Sequence, residues 1–215
     1  RNQRKAKQRI ILTTVLSHEA KHSFALAQRQ SDALLNRRSY IGRFAPSPTG
    51  PLHFGSLLTA VASYCDAKAN HGKWLVRIED TDIPRIYPHS EAHILSCIDA
   101  FQFEPDAEII FQKDRLELYE QVLEQLKQLQ AVYACQCTRK MLGSNHIYAG
   151  TCRGLRLDFS QQAIRLKVAD QLICFDDRLQ GQQCSNLQHD LGDFVLKRRD
   201  GIISYQLAVV VDDYL

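Results

Sequence analysis

Short apolar runs alternate with polar turns rich in proline and glycine from residue 40 onward. Residues 40–45 and Lys73–Ile78 have the length and composition of strands. A turn follows the first of them, at Pro46, Pro48, Gly50 and Pro51, and a helix is predicted from about residue 56 to residue 69, ending at Gly72. A strand–helix–strand order with a polar loop after each strand is typical of a parallel sheet, whose ligands bind at the carboxyl ends of the strands.

Helical periodicity predicts three helices in the first 130 residues. The first has five apolar residues on one face: Leu57, Leu58, Val61, Ala62 and Cys65. The second covers residues 90–101, and a short strand follows at residues 108–111. The third covers residues 115–129 and buries Leu116, Tyr119, Val122, Leu123 and Leu126.

The last third of the chain is predicted to contain several strands. Residues 163–168 and 172–175 are expected to form an antiparallel pair around Asp170 and Gln171. A further strand is predicted at residues 193–197. Periodicity does not distinguish helix from strand at residues 206–212.

Composition is that of an ordinary globular protein. The 215 residues are 45% hydrophobic and 24% charged, enough for one core and a small inserted module. There is no apolar run of about 18 residues, so no membrane span is expected, and no secretory signal is recognisable.

The net charge of +3 is unevenly distributed. Residues 1–40 hold nine Lys or Arg and two Asp or Glu, so the remaining residues are net acidic and do not form a broadly basic surface for nucleic acid. We expect residues 1–39 to be a poorly ordered basic extension. An RNA-contacting arm and an organelle-targeting segment are the alternatives.

Residues 43–56 (RFAPSPTGPLHFGS) carry the most informative pattern. They predict a strand end, a proline-stiffened turn and a helix that opens with His53 and Gly55. A helix N-terminus presents unpaired N–H groups and a partial positive charge, which favour phosphate. Gly55 allows a nucleotide to approach the backbone, and His53 can donate to a phosphate oxygen as charge develops. Arg43 offers a planar guanidinium suited to a carboxylate.

Residues 43–56 resemble the first signature of the class I glutamyl-tRNA synthetases, whose His-Ile-Gly-His motif corresponds to His53-Phe54-Gly55-Ser56. Residues 77–82 (RIEDTD) resemble the second conserved block of the same enzymes. The resemblance covers about residues 40–215. It implies an α/β, Rossmann-like catalytic domain with a parallel sheet and a small zinc-containing insertion.

The resemblance also assigns site residues. Arg43 would bind the side-chain carboxylate of glutamate, Glu79 its ammonium group, and Ser47 and Tyr205 would complete the pocket. The full set implied for glutamate is Arg43, Phe44, Ala45, Pro46, Ser47, Glu79 and Tyr205. The set implied for ATP is Thr49, His53, Phe54, Gly55 and Ser56, of which His53 and Gly55 are the catalytic candidates.

Seven cysteines are present, and three of them are closely spaced. Cys135, Cys137 and Cys152 enclose loop-forming residues, and three thiolates with a fourth ligand suit tetrahedral zinc. His146 and Tyr148 both lie within this segment. From the residues alone His146 is the natural fourth ligand, whereas the resemblance points to Tyr148.

The other four cysteines carry no metal pattern. Cys65 and Cys97 lie in apolar helical patterns and are expected to be buried. Cys174 and Cys184 have no recognisable spacing partner, and the odd count argues against a disulfide scaffold.

Within the family, the similarity is to short paralogues that lack an anticodon-binding domain, on the strength of the cysteine segment and residues 205–213 (YQLAVVVDD). Such enzymes activate L-glutamate with ATP and Mg²⁺ and transfer it to queuosine in tRNA(Asp). The resemblance implies a cytoplasmic ligase, monomeric and without membrane contact. The alternatives are an N-terminal piece of a synthetase that charges the tRNA 3′ end, and a non-catalytic zinc-containing RNA-binding module.

The family pattern continues beyond this chain. A further pocket arginine and a lysine-rich loop that stabilises pyrophosphate would follow Leu215, so we expect a truncated chain that lacks full adenylation activity. The expected organisation is a basic extension at residues 1–39, the first half of the catalytic domain at 40–132, the zinc-containing insertion at 133–190, and a return to the catalytic domain at 191–215.

Overall fold

The computed structural model describes residues 40–142 and 147–215. The predicted extension at residues 1–39 and the candidate ligand His146 therefore lie outside the described residues. The described residues form two compact units, one ending at Leu116 and the other running from Glu117 to Leu215.

A three-stranded parallel sheet forms the centre of the first unit, as predicted. Its strands are β1 (Ile41–Phe44), β2 (Lys73–Ile78) and β3 (Ile110–Phe111), in the order β1–β2–β3. Helix α1 (Phe54–Ala69) joins β1 to β2. Helix α2 (Ser90–Ala100) lies between β2 and β3, after a 3₁₀ turn at Ile83–Arg85. A second 3₁₀ turn at Gln112–Arg115 follows β3.

Trp74 on β2 is the centre of the aromatic core in this unit. Its side chain is fully buried, and its ring lies 6.2 Å from that of Phe44 and 5.1 Å from that of Tyr64. The indole N–H donates to Ser63 Oγ at 3.0 Å, so the one polar atom of the ring is paired. This contact joins α1 to the middle of the sheet.

Helix α1 buries a different face from the apolar one in its sequence. Its buried residues are the small Ala60 and Ala67, which allow the helix to lie close to the sheet. Leu58, Val61 and Cys65 are exposed instead. The expectation that Cys65 is buried is therefore wrong, and Cys97 on α2 is half-buried.

The second unit combines helices with antiparallel strands. Helix α3 (Leu116–Gln128) leads into β4 (Val132–Cys135), and helix α4 (Arg139–Leu142) follows. Strand β4 pairs with β5 (Ala163–Leu166), and β5 with β8 (Val195–Lys197). The chain between them forms the hairpin of β6 (Leu172–Asp177) and β7 (Gly181–Asn186), followed by a single helical turn, α5 (Leu187–Asp190).

The predicted pairing of residues 163–168 with residues 172–175 is wrong. Strand β6 pairs with β7 instead, because a tight turn follows Asp177. The carboxylate of Asp177 accepts the backbone N–H groups of Leu179 and Gln180, at 2.8 and 2.9 Å, and Gly181 has a φ of +69°. An Asx-type turn of this kind reverses the chain within three residues.

The hairpin also contains a disulfide between Cys174 and Cys184, which lie opposite each other on β6 and β7. The sequence spacing gave no sign of this pairing. Their Cα atoms are 4.1 Å apart, close to the separation of directly facing residues in a non-hydrogen-bonded antiparallel pair.

Residues 206–212 are helical, within α6 (Tyr205–Tyr214). The five residues from Leu207 to Val211 are all buried, so the apolar run is the core of a helix rather than a strand. The Tyr119 hydroxyl of α3 donates to the carboxylate of Asp212 at 2.9 and 3.0 Å. None of the helices in the described part of the chain is long and apolar enough to cross a membrane.

Candidate active site and metal centre

His53 caps the N-terminus of α1. Its Nδ1 accepts the backbone N–H of Ser56 at 3.2 Å, and its Nε2 lies 3.3 Å from Ser56 Oγ. Both nitrogens of the imidazole therefore contact Ser56, which fixes the plane of the ring. The first turn of the helix contains no acidic residue, and His53, Phe54 and Gly55 are exposed. This end of α1 keeps its partial positive charge and is open to an anion.

Gly55 leaves room beside the His53 ring. A Cβ at this position would lie 3.1 and 3.2 Å from ring atoms of His53, closer than most real contacts. A side chain here would therefore push against the imidazole. The glycine keeps the capping geometry and leaves the helix terminus uncovered.

The loop after β1 is tied to the segment after β2 by two backbone hydrogen bonds. The Glu79 N–H donates to the Pro46 carbonyl, and the Tyr87 N–H donates to the Pro48 carbonyl, each at 2.9 Å. The ends of the two parallel strands are thereby held together. Ser47 is exposed on this loop, and Thr49 donates its N–H to the Ser47 carbonyl at 2.9 Å.

The predicted glutamate-binding residues of the first unit differ in exposure. Arg43 and Ala45 are half-buried, whereas the Phe44 side chain is in the aromatic core and Pro46 is also buried. A ligand above this strand end would meet the backbone of Phe44 rather than its ring. Tyr205, half-buried at the start of α6, belongs to the second unit.

Glu79 is a buried carboxylate rather than a surface acid. It is 8% exposed, and its Oε1 accepts from the guanidinium of Arg77, which is 4% exposed, at 3.2 Å. An unpaired charge at this depth would be strongly unfavourable, so the arginine compensates the carboxylate. The arrangement places a carboxylate together with its compensating cation at the carboxyl end of β2.

A second charge cluster follows Glu79, and sequence reasoning did not single it out. Asp80 is 1% exposed and accepts the backbone N–H of Lys113 at 2.8 Å. The Lys113 ammonium lies 3.4 Å from Asp80 Oδ2 and 2.8 Å from both Glu91 oxygens. Burial raises the pKa of Asp80, against the opposing effect of Lys113. The cluster joins β2, α2 and the turn after β3. Its sequence signal was the acidic block, residues 79–82, that follows a buried strand.

Three thiols and a phenol meet in the second unit. The Sγ atoms of Cys135, Cys137 and Cys152 all lie within 4.8 Å of one another, and those of Cys137 and Cys152 are 3.5 Å apart. Tyr148 Oη lies 3.4 Å from Cys135 Sγ and 3.5 Å from Cys137 Sγ. Thiolates bound to one zinc ion at about 2.3 Å are about 3.8 Å apart, so the spacing of these donors fits a tetrahedral ion. These four side chains could hold a metal.

The environment of this cluster changes the acidity of its members. Burial raises the pKa of Cys152, but hydrogen bonds with Tyr148, the Gln136 backbone and Cys137 outweigh it and lower that pKa to about 7. A thiol with this acidity is readily converted to the thiolate that metals bind. Burial raises the pKa of Tyr148, so its phenol stays protonated unless a metal ion is bound to it.

Asp193 lies at the centre of a polar network beside the thiols. The sequence analysis did not identify it as a site residue. Its carboxylate, 2% exposed, accepts from the Tyr133 hydroxyl and from the Arg153 guanidinium, and it accepts the Val168 N–H at 2.8 Å. Tyr133 lies two residues before Cys135, and Arg153 directly follows Cys152. One carboxylate therefore holds both cysteine-bearing segments.

Arg165 and Gly192 hold the tyrosine of the cluster. The Arg165 guanidinium lies 3.9 Å from the centroid of the Tyr148 ring and donates to the Asp193 carbonyl at 2.7 Å. Gly192 forms a β-bridge with Tyr148, at a φ of +68°. A Cβ on Gly192 would lie 2.5 Å from the Tyr148 carbonyl oxygen, so this close approach requires glycine.

Comparison with known proteins gives a consistent family. Residues 41–215 match the family described as tRNA synthetases class I (E and Q), catalytic domain. The chain is 81% identical over 177 residues to the glutamyl-Q tRNA(Asp) synthetase of Acinetobacter baylyi, a match that covers 82% of this chain and 61% of that protein. It is 50% identical over 184 residues to the same-named enzyme of Dechloromonas aromatica, with 81% and 61% coverage. The chain thus spans about 61% of the length of these relatives.

Solved structures of glutamate-specific enzymes show the same fold. A glutamate tRNA ligase from Elizabethkingia meningosepticum, in complex with its amino acid, has a TM-score of 0.71 and 29% identity, over 83% of this chain and 42% of that one. The glutamate-tRNA synthetase of Elizabethkingia anophelis gives the same score and identity. With its parallel sheet and its strand-end residues, this chain belongs to the class I tRNA synthetase family that comprises the glutamyl and glutaminyl enzymes.

Proposed function

We propose that this chain is part of an enzyme that activates L-glutamate with ATP and transfers the glutamyl group to queuosine in tRNA(Asp). Two features of the first unit carry this proposal. One is the exposed N-terminus of α1, which His53 caps and which has no acidic residue in its first turn, and the other is the buried carboxylate of Glu79. The names of the relatives at 81% and 50% identity support the choice of acceptor. The site of action would be the cytoplasm, where tRNA and ATP are available.

In the first step, an oxygen of the glutamate α-carboxylate attacks the α-phosphorus of ATP, and pyrophosphate leaves with its Mg²⁺. Arg43 would bind the side-chain carboxylate and Glu79 the ammonium group, so two opposite charges orient the amino acid. Ser47 would help to hold the amino acid, and Tyr205 is the further residue that the family resemblance assigns to glutamate. Phe44, Ala45 and Pro46 would contribute backbone.

The N-terminus of α1 would stabilise the charge that develops on the α-phosphate. His53 would donate to a phosphate oxygen, and its ring plane is already held by Ser56. The nucleotide would also contact Thr49, Phe54, Gly55 and Ser56. Catalysis would come from positioning and electrostatics rather than from a covalent group of the protein.

In the second step, a hydroxyl of the queuosine ring attacks the carbonyl carbon of the mixed anhydride, and AMP leaves. The test is transfer of labelled glutamate by the complete gene product to tRNA(Asp) that contains queuosine. Matched acceptors are tRNA(Asp) without queuosine and tRNA(Glu). We expect labelling of the first alone. Labelling of tRNA(Glu) at its 3′ end would replace this proposal with an ordinary glutamyl-tRNA synthetase, as the names of the solved structures suggest.

We also propose that Cys135, Cys137, Tyr148 and Cys152 hold a structural zinc ion. Three soft thiolates suit zinc, and a bound dication favours the phenolate form of tyrosine. Support comes from the short distances between Tyr148 Oη and two of the sulfurs. The ion would fix the turn around Cys152 and would take no part in the chemical steps.

Metal analysis of purified variants tests the ligand set. We expect Tyr148→Phe to weaken zinc binding in a chelator competition, and His146→Ala to leave it unchanged. The reverse pattern would make His146 the fourth ligand. Equal zinc content in wild type and in Cys137→Ser would show that the cluster holds no metal.

A further inference from the structure

The disulfide between Cys174 and Cys184 lies on an exposed face of the β6–β7 hairpin. Both cysteines are exposed, and so are the neighbours on the same face, Asp176 and Gln182. The opposite face of the hairpin is more buried, with Ser185 at 4% exposure. A sulfur of this bond can therefore be reached from solvent without unfolding the hairpin.

These two sulfurs are separate from the candidate metal thiols. Cys135, Cys137 and Cys152 belong to a cluster with Tyr148 and are not disulfide-bonded. Cys174 and Cys184 face each other across two strands and have no part in that cluster. The unit thus contains one set of thiols arranged for a metal and one pair arranged for a covalent bond.

We propose that Cys174 and Cys184 form a thiol–disulfide exchange site for low-molecular-weight thiols. A small thiolate attacks one exposed Sγ, the Sγ–Sγ bond breaks, and the departing cysteine takes up a proton. A second small thiolate then attacks the small-thiol sulfur of the mixed disulfide. It releases the small disulfide and the second cysteine, which is also protonated. Two thiols are oxidised and one protein disulfide is reduced, so two electrons and two protons are transferred.

Exposure is the physical reason for this assignment. An exposed disulfide is accessible to in-line attack and has a more oxidising potential than a buried structural one. We expect the hairpin to keep its register without the bond, because the five other residue pairs and the Asp177 turn hold the two strands. Reduction and reoxidation can then occur in the folded protein, with the two sulfurs still facing each other.

Tryptic digestion shows directly whether the bond between Cys174 and Cys184 is intact. Trypsin cleaves after Arg178, between the two cysteines, and no other Lys or Arg occurs between Lys167 and Lys197. Residues 168–178 and 179–197 therefore stay linked only while the disulfide is intact. The complete gene product, loaded with zinc, is equilibrated with graded ratios of reduced to oxidised glutathione. It is then quenched with acid, alkylated, digested and weighed by mass spectrometry.

We expect the linked peptide pair to be replaced by two alkylated peptides as the ratio rises, with a glutathione adduct at intermediate ratios. Cys184 in the Cys174→Ser variant should form a stable adduct with oxidised glutathione, because the resolving sulfur is missing. Cys65→Ser is the matched control and should not move the transition, since Cys65 is exposed but lies in the other unit.

Two results would overturn the proposal. One is full alkylation of Cys174 and Cys184 in fully oxidised glutathione, which would show that no bond forms. The other is a linked pair that resists every ratio until denaturant is added, which would make the bond a buried structural one. Circular dichroism of each variant, together with zinc release measured with a chromogenic chelator, separates either result from misfolding or loss of the metal cluster.

Discussion

Arg43 and Glu79 place opposite charges at the ends of two adjacent parallel strands. Arg43 is on β1, and Glu79 directly follows β2. Its partner Arg77 is the second-last residue of β2. An amino acid with a second carboxylate needs both an arginine and an ammonium acceptor. The family resemblance assigns these two residues to glutamate, and this assignment stays a prediction. The burial of Glu79 and its compensation by Arg77 became visible only in the structure.

Replacing Arg43 with lysine tests the carboxylate clamp. Lysine keeps the charge but lacks the planar pair of donors, so we expect glutamate-dependent kcat/KM to fall by about 100-fold. The change should be mainly in the KM for glutamate and not in that for ATP. Arg85→Lys, at an exposed arginine with 72% of its side chain accessible, is the matched control. Equal losses in the two variants would contradict a specific role for Arg43.

Replacing Asp193 with asparagine tests whether its carboxylate stabilises the cysteine cluster. Asp193→Asn removes the buried charge that faces the partly exposed Arg153, and it weakens the hydrogen bonds that Asp193 accepts from Tyr133 and Val168. We expect a loss of about 2 kcal/mol in the free energy of unfolding, because hydrogen bonds to a buried charged group are weakened. Zinc affinity should fall about 10-fold to 100-fold, as for other outer ligand-orienting groups.

Asp200→Asn is the matched control, because Asp200 pairs with Arg198 at the surface. It should leave both quantities nearly unchanged. Denaturant unfolding and chelator competition give the two readouts. An Asp193→Asn variant with wild-type zinc affinity would show that Asp193 stabilises the unit without positioning the ligands.

Candidate site residues were easiest to assign where a family signature covered them. His53, Gly55 and Glu79 lie in such signatures, and the structure places the first two at an exposed helix terminus. Asp193 and Lys113 lie outside any pattern, since each acts by joining segments that are distant in the sequence. Contacts of this kind depend on tertiary packing and leave no local signal.

At the scale of elements, Asp106 ties the segment before β3 to the start of β2. Its carboxylate accepts the Trp74 N–H at 2.7 Å and pairs with Lys68 of α1. The hydrogen bond from the Trp74 N–H is the main reason that the pKa of Asp106 lies below its ordinary value of 3.8. The contact with Lys68 lowers the pKa further. A lowered pKa means that the native state binds the proton less tightly than the unfolded state does.

The stability that Asp106 contributes is therefore present above pH 3.8 and is lost as the pH falls through its native pKa. We expect wild type to exceed Asp106→Asn in unfolding free energy by a constant margin between about pH 7 and pH 5, and the margin to narrow only in stronger acid. The exposed Asp99→Asn is the control. A margin that widened on acidification would contradict the assigned contacts.

Alanine substitutions at Gly192 and Gly201 distinguish the cost of backbone strain from the cost of steric overlap. Both have positive φ, +68° and +86°, but a Cβ on Gly192 would strike the Tyr148 backbone, whereas one on Gly201 would meet nothing within 4 Å. Gly201→Ala should cost about 1 kcal/mol of stability, the ordinary penalty for a left-handed alanine. Gly192→Ala should cost clearly more and should also weaken zinc binding. Equal costs in denaturant unfolding would contradict the close contact.

Local patterns predicted some elements better than others. The β1–α1–β2 unit was predictable because its turn residues and apolar runs are local signals. The exposed apolar face of α1 was not, since the sheet selects the small residues Ala60 and Ala67 for close contact. Strand β7, Gly181–Asn186, is largely polar, so no apolar alternation predicted it and the pairing of β6 was misassigned.

At the scale of the whole molecule, the described residues form two units with different chemistry. The first contains the parallel sheet and the strand-end residues, and the second contains the thiol cluster, the hairpin disulfide and Tyr205. The chain spans about 61% of the length of its relatives, so activity is a property to measure on the complete gene product. The family follows from the sequence signature together with the fold.

Glutamate activation is tested by ATP–pyrophosphate exchange with the complete gene product, in the presence of glutamate and without tRNA. We predict exchange that depends on glutamate and is not supported by glutamine or aspartate, because the proposed roles of Arg43 and Glu79 require a side-chain carboxylate and an ammonium group at the separation found in glutamate. Exchange should fall sharply in Arg43→Lys and persist in Arg85→Lys. Absence of exchange with glutamate, or equal exchange with glutamine, would contradict glutamate activation by this site.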